Sequence, residues 1–128
     1  MKTFLLAGFA AGALILAGPP ALAADAAHGQ QLFRAQCGVC HQAGEGDGDG
    51  GSGPSLRGVV GRKIGGDAAF AGYTPTLGDA KDKWTEAGLN TFLTDPNKAM
   101  PGTSMPISIR NDADRADIIA YLATVKGQ

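Results

Sequence analysis

Two cysteines three residues apart, followed at once by a histidine, restrict this chain more than any other feature of its sequence. They lie in the segment Cys37-Gly38-Val39-Cys40-His41 and are the only two cysteines of the chain. C-x-x-C-H is the pattern by which haem c is attached to proteins. On one helical turn, each thiol can add to one haem vinyl group, and the adjacent imidazole can then bind the iron. The pattern therefore predicts one covalent haem c whose iron is bound by His41.

Other uses of the two cysteines agree less well with the sequence. A disulfide across so short a loop would add little stability, because it removes little chain entropy. A thioredoxin-like C-x-x-C belongs to a βαβ context, whereas residues 25–36 have helical character. A zinc site needs a second pair of ligands, and His28 is the only other histidine of the chain.

Residues 1–23 are predicted to be a cleaved signal peptide. Lys2 gives a positive start, residues 4–17 are almost wholly apolar or small, and small residues precede the expected cleavage site after Ala23. A membrane anchor is the alternative, but the apolar run is shorter than the about 20 residues that span a bilayer. The expected mature domain covers residues 24–128 and lies in the periplasm, since bacterial haem attachment to this motif takes place outside the cytoplasm.

The mature domain is small and slightly acidic. Removal of Lys2 changes the formal net charge of the chain from −1 to about −2. This balance does not indicate nucleic-acid binding, which usually requires a basic face. A domain of this size that is poor in aromatic residues and rich in glycine gains from a large apolar cofactor at its centre. We expect it to act as a monomer.

A second protein ligand for the iron is predicted in the C-terminal third of the chain. Haem iron with a histidine and a methionine ligand has a raised reduction potential and suits electron transfer. Met100 and Met105 flank a Pro/Gly segment that is typical of a loop. Met105 is favoured, because it lacks the helical or strand context of a core residue. Met100 is more plausible as a packing residue, and His28 is a weaker candidate in the first helix.

The sequence predicts an all-α fold, in which three main helices and long loops surround the haem. The predicted helices cover residues 25–36, 85–94 and 112–126. Asp25 is placed to cap the first helix, Asn111 or Asp112 to cap the last, and the middle helix ends before a proline.

The first and last helices are expected to cross near Gly29, Phe33 and Tyr121, where the glycine permits close approach. One apolar stripe on the last helix indicates the side that faces inward. The stripe consists of Ile118, Ile119, Leu122 and Val125.

Residues 44–53 are too rich in glycine to suggest packing, and we expect a mobile loop. Asp47 and Asp49 in this segment raise the possibility of calcium binding. The EF-hand pattern needs further ligands and a late glutamate, which are absent here.

In the order and spacing of several segments, the chain resembles class I cytochromes c, the type shared by mitochondria and related bacteria. The resemblance covers nearly all of the mature chain and implies the cytochrome c fold. The matching segments are C-G-V-C-H at 37–41, G-P-S-L-R-G at 53–58, G-R-K at 61–63, Trp84, D-P-N-K at 95–98, P-G-T-S-M at 101–105 and D-I-I-A-Y-L at 117–122.

The resemblance also implies roles for residues around the haem. The carbonyl of Pro54 would accept a hydrogen bond from the ring of His41, which fixes the imidazole tautomer and makes it a better donor to the iron. Thr103 would support the methionine loop. The haem propionates would be held by Tyr73, Trp84 and Arg62. The chain departs from the family at Phe92, where a tyrosine is frequent, at Ala99, where an aromatic residue is frequent, and in its lack of a lysine excess.

An iron with both axial positions filled by protein has no place for a substrate, so an electron carrier is predicted rather than an enzyme. The resemblance implies transient docking to membrane redox complexes: a quinol–cytochrome c reductase as donor, and a terminal oxidase or photosynthetic reaction centre as acceptor. One alternative is a dedicated electron-accepting subunit of a periplasmic dehydrogenase. Another is a gas-binding haem sensor with a weakly held sixth ligand. Charge steering would depend on a basic patch formed by Arg57, Arg62, Lys63, Lys81, Lys83 and Lys98.

Overall fold

The computed structural model describes residues 22–127, and the helices of that part of the chain confirm the predicted all-α class. The charged start and apolar stretch of the predicted signal peptide lie outside the described residues. The described residues contain one isolated extended bridge, between Lys63 and Lys83. Their helices are α1 (Ala26–Gln36), α2 (Pro75–Gly78), α3 (Glu86–Thr94), α4 (Pro96–Ala99) and α5 (Asp112–Thr124).

Side-chain caps determine where the three longer helices begin. The Asp25 carboxylate accepts hydrogen bonds from the first turn of α1, at 2.9 Å from the nitrogen of Ala27. Thr85 and Asn111 accept equivalent bonds at the starts of α3 and α5, each at 2.9 Å. Each cap satisfies a backbone N–H that has no partner inside the helix. These starts agree with the sequence prediction to within one residue.

The last helix ends two residues earlier than predicted. Val125 leaves the helix with an extended backbone (φ −82°, ψ 110°). Its carbonyl then accepts a hydrogen bond from the nitrogen of Gly58 at 3.1 Å. The bond to a distant loop ties down the end of α5, and this contact has no local sequence pattern.

The crossing of α1 and α5 occurs where it was predicted. A Cβ atom on Gly29 would lie only 1.9 Å from the carbonyl oxygen of Asp117, so the two backbones are in direct contact. One turn further along, Phe33 is fully buried. Its ring centroid lies 5.6 Å from that of Tyr121. The crossing places the start of residues 37–41 against the core.

Two short helices, α2 and α4, were not predicted from the sequence. Each is a single turn with a proline at its start, Pro75 in one and Pro96 in the other. Proline is favoured there because its fixed φ suits a helix and its missing N–H is not needed. Four residues are too few to show a helical period.

The expectation that residues 44–53 do not pack is wrong at the centre of this segment. Asp47 has no exposed surface. It accepts hydrogen bonds from side chains of α1 and α5. These bonds occupy the Asp47 carboxylate, so it is not available as a calcium ligand in this structure. Glycine content gave no information about a distant partner of Asp47.

Candidate haem site

An apolar pocket lies between α3, α5 and the loops that precede and follow them. Its apolar lining includes Leu56, Val59, Leu89, Phe92, Ile109, Ile118 and Leu122. The eight residues that were predicted to bind or hold the haem also line this pocket. They are Cys37, Cys40, His41, Pro54, Arg62, Tyr73, Trp84 and Met105. Residues that are up to 68 positions apart in the chain are thus brought to one site.

The attachment turn continues directly from α1. The nitrogen of Cys37 donates to the carbonyl of Phe33 at 2.8 Å, and the nitrogens of Cys40 and His41 donate to the carbonyl of Cys37 at 3.0 and 2.9 Å. This turn places both thiols and the imidazole at the same pocket. Both cysteines are free.

Burial, with a smaller effect from the neighbouring Cys40, raises the pKa of the free Cys37 thiol to about 11. A thiol with such a pKa is protonated at neutral pH and is a poor nucleophile. A thioredoxin-like dithiol requires a lowered thiol pKa, so this environment disfavours that alternative.

The imidazole of His41 is oriented by a backbone carbonyl. Its Nδ1 lies 2.8 Å from the oxygen of Pro54. Because a carbonyl can only accept, Nδ1 carries the proton and Nε2 is left as the ligand atom. Burial lowers the pKa of His41 by more than the bond to Pro54 raises it, which favours the neutral ring that binds metals.

A glycine is required next to this ring. A Cβ atom on Gly53 would lie 2.4 Å from Cε1 of His41. Any other residue would push Pro54 and its carbonyl away from the imidazole. Glycine at position 53 therefore allows Pro54 to lie close enough to the His41 ring for its carbonyl to accept the hydrogen bond.

Of the three described candidates for a second ligand, only Met105 is among the residues that line the pocket. Its nitrogen lies 3.4 Å from the hydroxyl oxygen of Thr103, which accepts the bond. Met100 is half-buried and packs against the core. His28 lies on the exposed side of α1, with Nδ1 2.8 Å from a carboxylate oxygen of Asp117.

Polar groups gather on one side of the pocket. The guanidinium of Arg62 donates to the carbonyls of Arg57 at 2.9 Å and Ser55 at 2.7 Å. Its Nε is buried and has no hydrogen-bond partner in the described part of the chain. The hydroxyl of Tyr73 accepts a bond from the nitrogen of Asp67 at 3.2 Å and keeps its own proton to donate. Burial raises the pKa of Tyr73.

Thr74 also lines the pocket, although no pattern in the sequence pointed to it. Thr74 precedes Pro75 and occupies the N-cap position of α2, yet its side chain makes no capping bond. Its hydroxyl is instead buried, with no partner among the described residues. A buried hydroxyl with no capping bond is available to a group bound in the pocket.

These observations match the requirements of a haem group. The apolar lining suits the porphyrin ring, and Nε2 of His41 together with the thioether of Met105 suits its iron. Buried donors without partners are costly. The unpartnered Arg62 Nε and Thr74 hydroxyl, together with the hydroxyl proton that Tyr73 keeps to donate, suit the carboxylates of the propionates. When bound, the haem iron supplies a one-electron change between Fe(II) and Fe(III).

One C-x-x-C-H turn at an apolar pocket that also contains a methionine defines a protein with a single covalent haem c. The sequence model of the cytochrome c family matches residues 26–126. The chain is 38% identical over 117 residues to cytochrome c2 of Rhodomicrobium vannielii, which covers 91% of each chain. It is 41% identical over 102 residues to cytochrome c of Tetrahymena pyriformis, covering 79% of this chain and 89% of that one.

Solved structures that resemble this chain are also cytochromes of this family. Cytochrome cH from Methylobacterium extorquens superposes with a TM-score of 0.68 at 39% identity, covering 78% of this chain and 98% of that one. Ferricytochrome c2 from Rhodopseudomonas palustris gives a TM-score of 0.68 at 35% identity, covering 80% and 99%. The chain belongs to the cytochrome c family. Membership confirms the predicted fold and covalent haem c, and makes the protein an electron-carrier cytochrome.

Proposed function

We propose that the protein is a periplasmic carrier that takes single electrons from a quinol–cytochrome c reductase and delivers them to a terminal oxidase or a photosynthetic reaction centre. The observation that supports this most is that His41 and Met105 line one apolar pocket. If His41 and Met105 both bind the iron, they leave it no free position for a substrate, and one-electron transfer is the chemistry that the haem would supply.

The residues around the pocket limit how much the site rearranges when an electron arrives. The hydrogen bond from His41 to Pro54 fixes the imidazole. Trp84 is buried and its ring centroid lies 5.0 Å from that of Phe92. Closely packed side chains and excluded water leave few groups to reorient, which favours fast exchange with a redox partner.

Docking is proposed at the side of the pocket formed by the attachment turn and the methionine loop. Val39 in the turn is 76% exposed, and Ile107 after the methionine is 43% exposed. Large apolar side chains with this exposure suit a brief contact with a partner. A small interface of this kind favours rapid release after electron transfer.

In the structure, Arg62 does not contribute to the basic surface patch expected from the sequence. Arg62 points inward and binds backbone carbonyls. Lys63 and Lys83 lie opposite each other on the extended bridge, and both are exposed. Like charges placed directly opposite each other repel, and an acidic partner would relieve that repulsion. We propose this lysine pair as the steering element.

The experiment follows the reduced protein as a purified terminal oxidase oxidises it, at a series of ionic strengths. The rate is expected to fall with salt. At low salt, the double variant Lys63→Glu/Lys83→Glu should react about tenfold more slowly. Arg110→Glu/Lys126→Glu makes the same change in charge at two exposed positions that are not part of the bridge; it is the matched control and should change the rate little.

Two results would count against parts of this proposal. A rate that is independent of salt would reject the lysine pair as a steering element. Failure to exchange electrons with the reductase, oxidase and reaction centre, together with rapid reduction by a periplasmic dehydrogenase, would favour the dehydrogenase subunit instead.

The periplasmic location and the domain boundary at residue 24 are part of the proposal. They are supported by the signal-like sequence of residues 1–23 and by the start of the family match at residue 26. Within residues 22–127, no helix is both long enough and apolar enough to cross a bilayer. N-terminal sequencing of the exported protein tests this directly, and Ala24 is the expected first residue.

A further inference from the structure

A fully buried carboxylate lies at the junction of α1, α5 and the glycine-rich loop. Asp47 has no exposed surface. Gln30 donates to it at 2.9 Å and Arg34 at 2.5 Å, both from α1. The hydroxyl of Tyr121 in α5 donates to the same carboxylate. A buried charge is tolerated only when it is surrounded by donors in this way.

These bonds keep Asp47 ionised. Burial opposes ionisation, but the hydrogen bonds from Tyr121, Gln30 and Arg34 outweigh it and hold the pKa of the Asp47 carboxyl below its usual range. The Tyr121 hydroxyl also accepts a bond from the nitrogen of Gly44 at 3.1 Å. One hydroxyl thus joins two points of the loop to α5.

From Asp47 onward, the loop runs along the back of the attachment turn. A Cβ atom on Gly48 would lie 2.3 Å from the carbonyl oxygen of His41 and 2.6 Å from that of Gly38. The nitrogen of Asp49 donates to the carbonyl of Gly38 at 3.2 Å, and that of Gly53 donates to Cys40 at 3.0 Å. The next residue, Pro54, supplies the carbonyl that binds the His41 ring.

The conformational entropy of this loop opposes that geometry. Six of the ten residues in 44–53 are glycine, and glycine loses more backbone freedom on ordering than any other residue. A tether near the middle divides one flexible connection between His41 and Pro54 into two short ones, each with fewer accessible conformations.

We propose that Asp47 is a positioning residue for the haem ligand: by tethering the loop at its middle, it keeps the Pro54 carbonyl on Nδ1 of His41. Tyr121 is the main partner in this role. The inference rests on the proposed use of His41 as an iron ligand, and it assigns a purpose to the one buried acidic side chain of the described residues.

The test compares the reduced holoprotein with its Asp47→Ala variant by NMR hydrogen exchange. The probes are the amide of Gly53 and the ring N–H of His41. Both should exchange at least about tenfold faster in the variant, since loss of the tether lets the loop open locally. Asp49→Ala is the matched control, because it removes an equal charge from an exposed position in the same loop and should leave both rates unchanged.

A second readout separates positioning from general loosening. The amide of Leu89 in α3, which donates to the carbonyl of the capping residue Thr85, should keep its wild-type exchange rate in the Asp47→Ala protein. The midpoint potential should rise, because a weaker bond to Pro54 makes His41 a poorer donor to the iron. If Asp47→Ala yields no holoprotein, Tyr121→Phe removes the hydroxyl, keeps the ring, and should give the same pattern.

The inference is overturned if the His41 and Gly53 protons exchange no faster than in Asp49→Ala, or if Leu89 accelerates by the same factor. Failure of the proposed ligand role would look different, because the wild-type protein itself would then lack a ring N–H signal from an iron-bound His41.

Discussion

Replacing Gly29 with alanine should destabilise the protein, although alanine is the better helix former. The new Cβ would lie 1.9 Å from the carbonyl oxygen and 2.4 Å from the carbonyl carbon of Asp117. Both are backbone atoms of α5 and cannot rotate away. Ordinary contact begins at 3.4 Å, so α1 and α5 would have to separate by about 1.5 Å at this point.

The magnitude follows from three contributions. Overpacking of this kind costs about 1–3 kcal/mol. The separation would also loosen the buried contact between Phe33 and Tyr121, which are 5.6 Å apart between ring centroids, at a cost of about 1 kcal/mol. The higher helix propensity of alanine stabilises the variant by about 1 kcal/mol and offsets part of this loss. The free energy of unfolding should therefore fall by about 1–3 kcal/mol.

The assay is equilibrium unfolding of the oxidised holoprotein in urea, followed by circular dichroism. Gly88→Ala is the matched control, since its Cβ would meet only side-chain atoms, the nearest being the Thr85 hydroxyl at 3.2 Å. That variant should be at least as stable as the wild type. Equal stability of Gly29→Ala and wild type, or an equal loss in Gly88→Ala, would refute the reasoning about the helix crossing.

Two further predictions concern single polar groups. The hydrogen bond to Asp117 raises the pKa of His28. Protonated His28 therefore stabilises the folded protein at low pH, and this contribution is lost as the pH rises through the raised pKa. The difference in melting temperature between wild type and His28→Gln should be seen near pH 5.5 and vanish near about pH 9. A constant difference would contradict this. Thr74→Val keeps the shape of the side chain but removes a donor available to a propionate, and should lower the midpoint potential by about 20–60 mV. Thr91→Val, whose hydroxyl binds Ala87 in α3, should not change the potential, and an unchanged value for Thr74→Val would exclude the contact.

The features that could be predicted from the sequence are those determined by near neighbours in the chain. Asp25 and Asn111 precede helices that they cap, within three residues of the nitrogens they bind. Gly29 and Phe33 lie one turn apart and mark the face of α1 that meets α5. Such local relations appear directly as spacing in the sequence.

The features that were missed depend on contacts between distant parts of the chain. Asp47 is buried because Tyr121, 74 residues later, donates to it. The Thr74 hydroxyl is buried and makes no capping bond, although Thr74 occupies the N-cap position of α2. Arg62 turns inward to carbonyls of its preceding loop, which removes it from the expected surface patch. No local pattern indicated burial of Asp47 or Thr74, and for Arg62 the sequence indicated both the haem site and the surface patch; tertiary packing decides each case.

The identity of the second iron ligand is the central claim, and optical spectroscopy tests it most directly. The oxidised wild-type protein should show the weak long-wavelength band of a methionine–iron bond, and the reduced protein should not bind carbon monoxide. Met105→Ala should lose the band and bind carbon monoxide, whereas Met100→Leu should behave as wild type. Survival of the band in Met105→Ala, or its loss in Met100→Leu, would contradict this account.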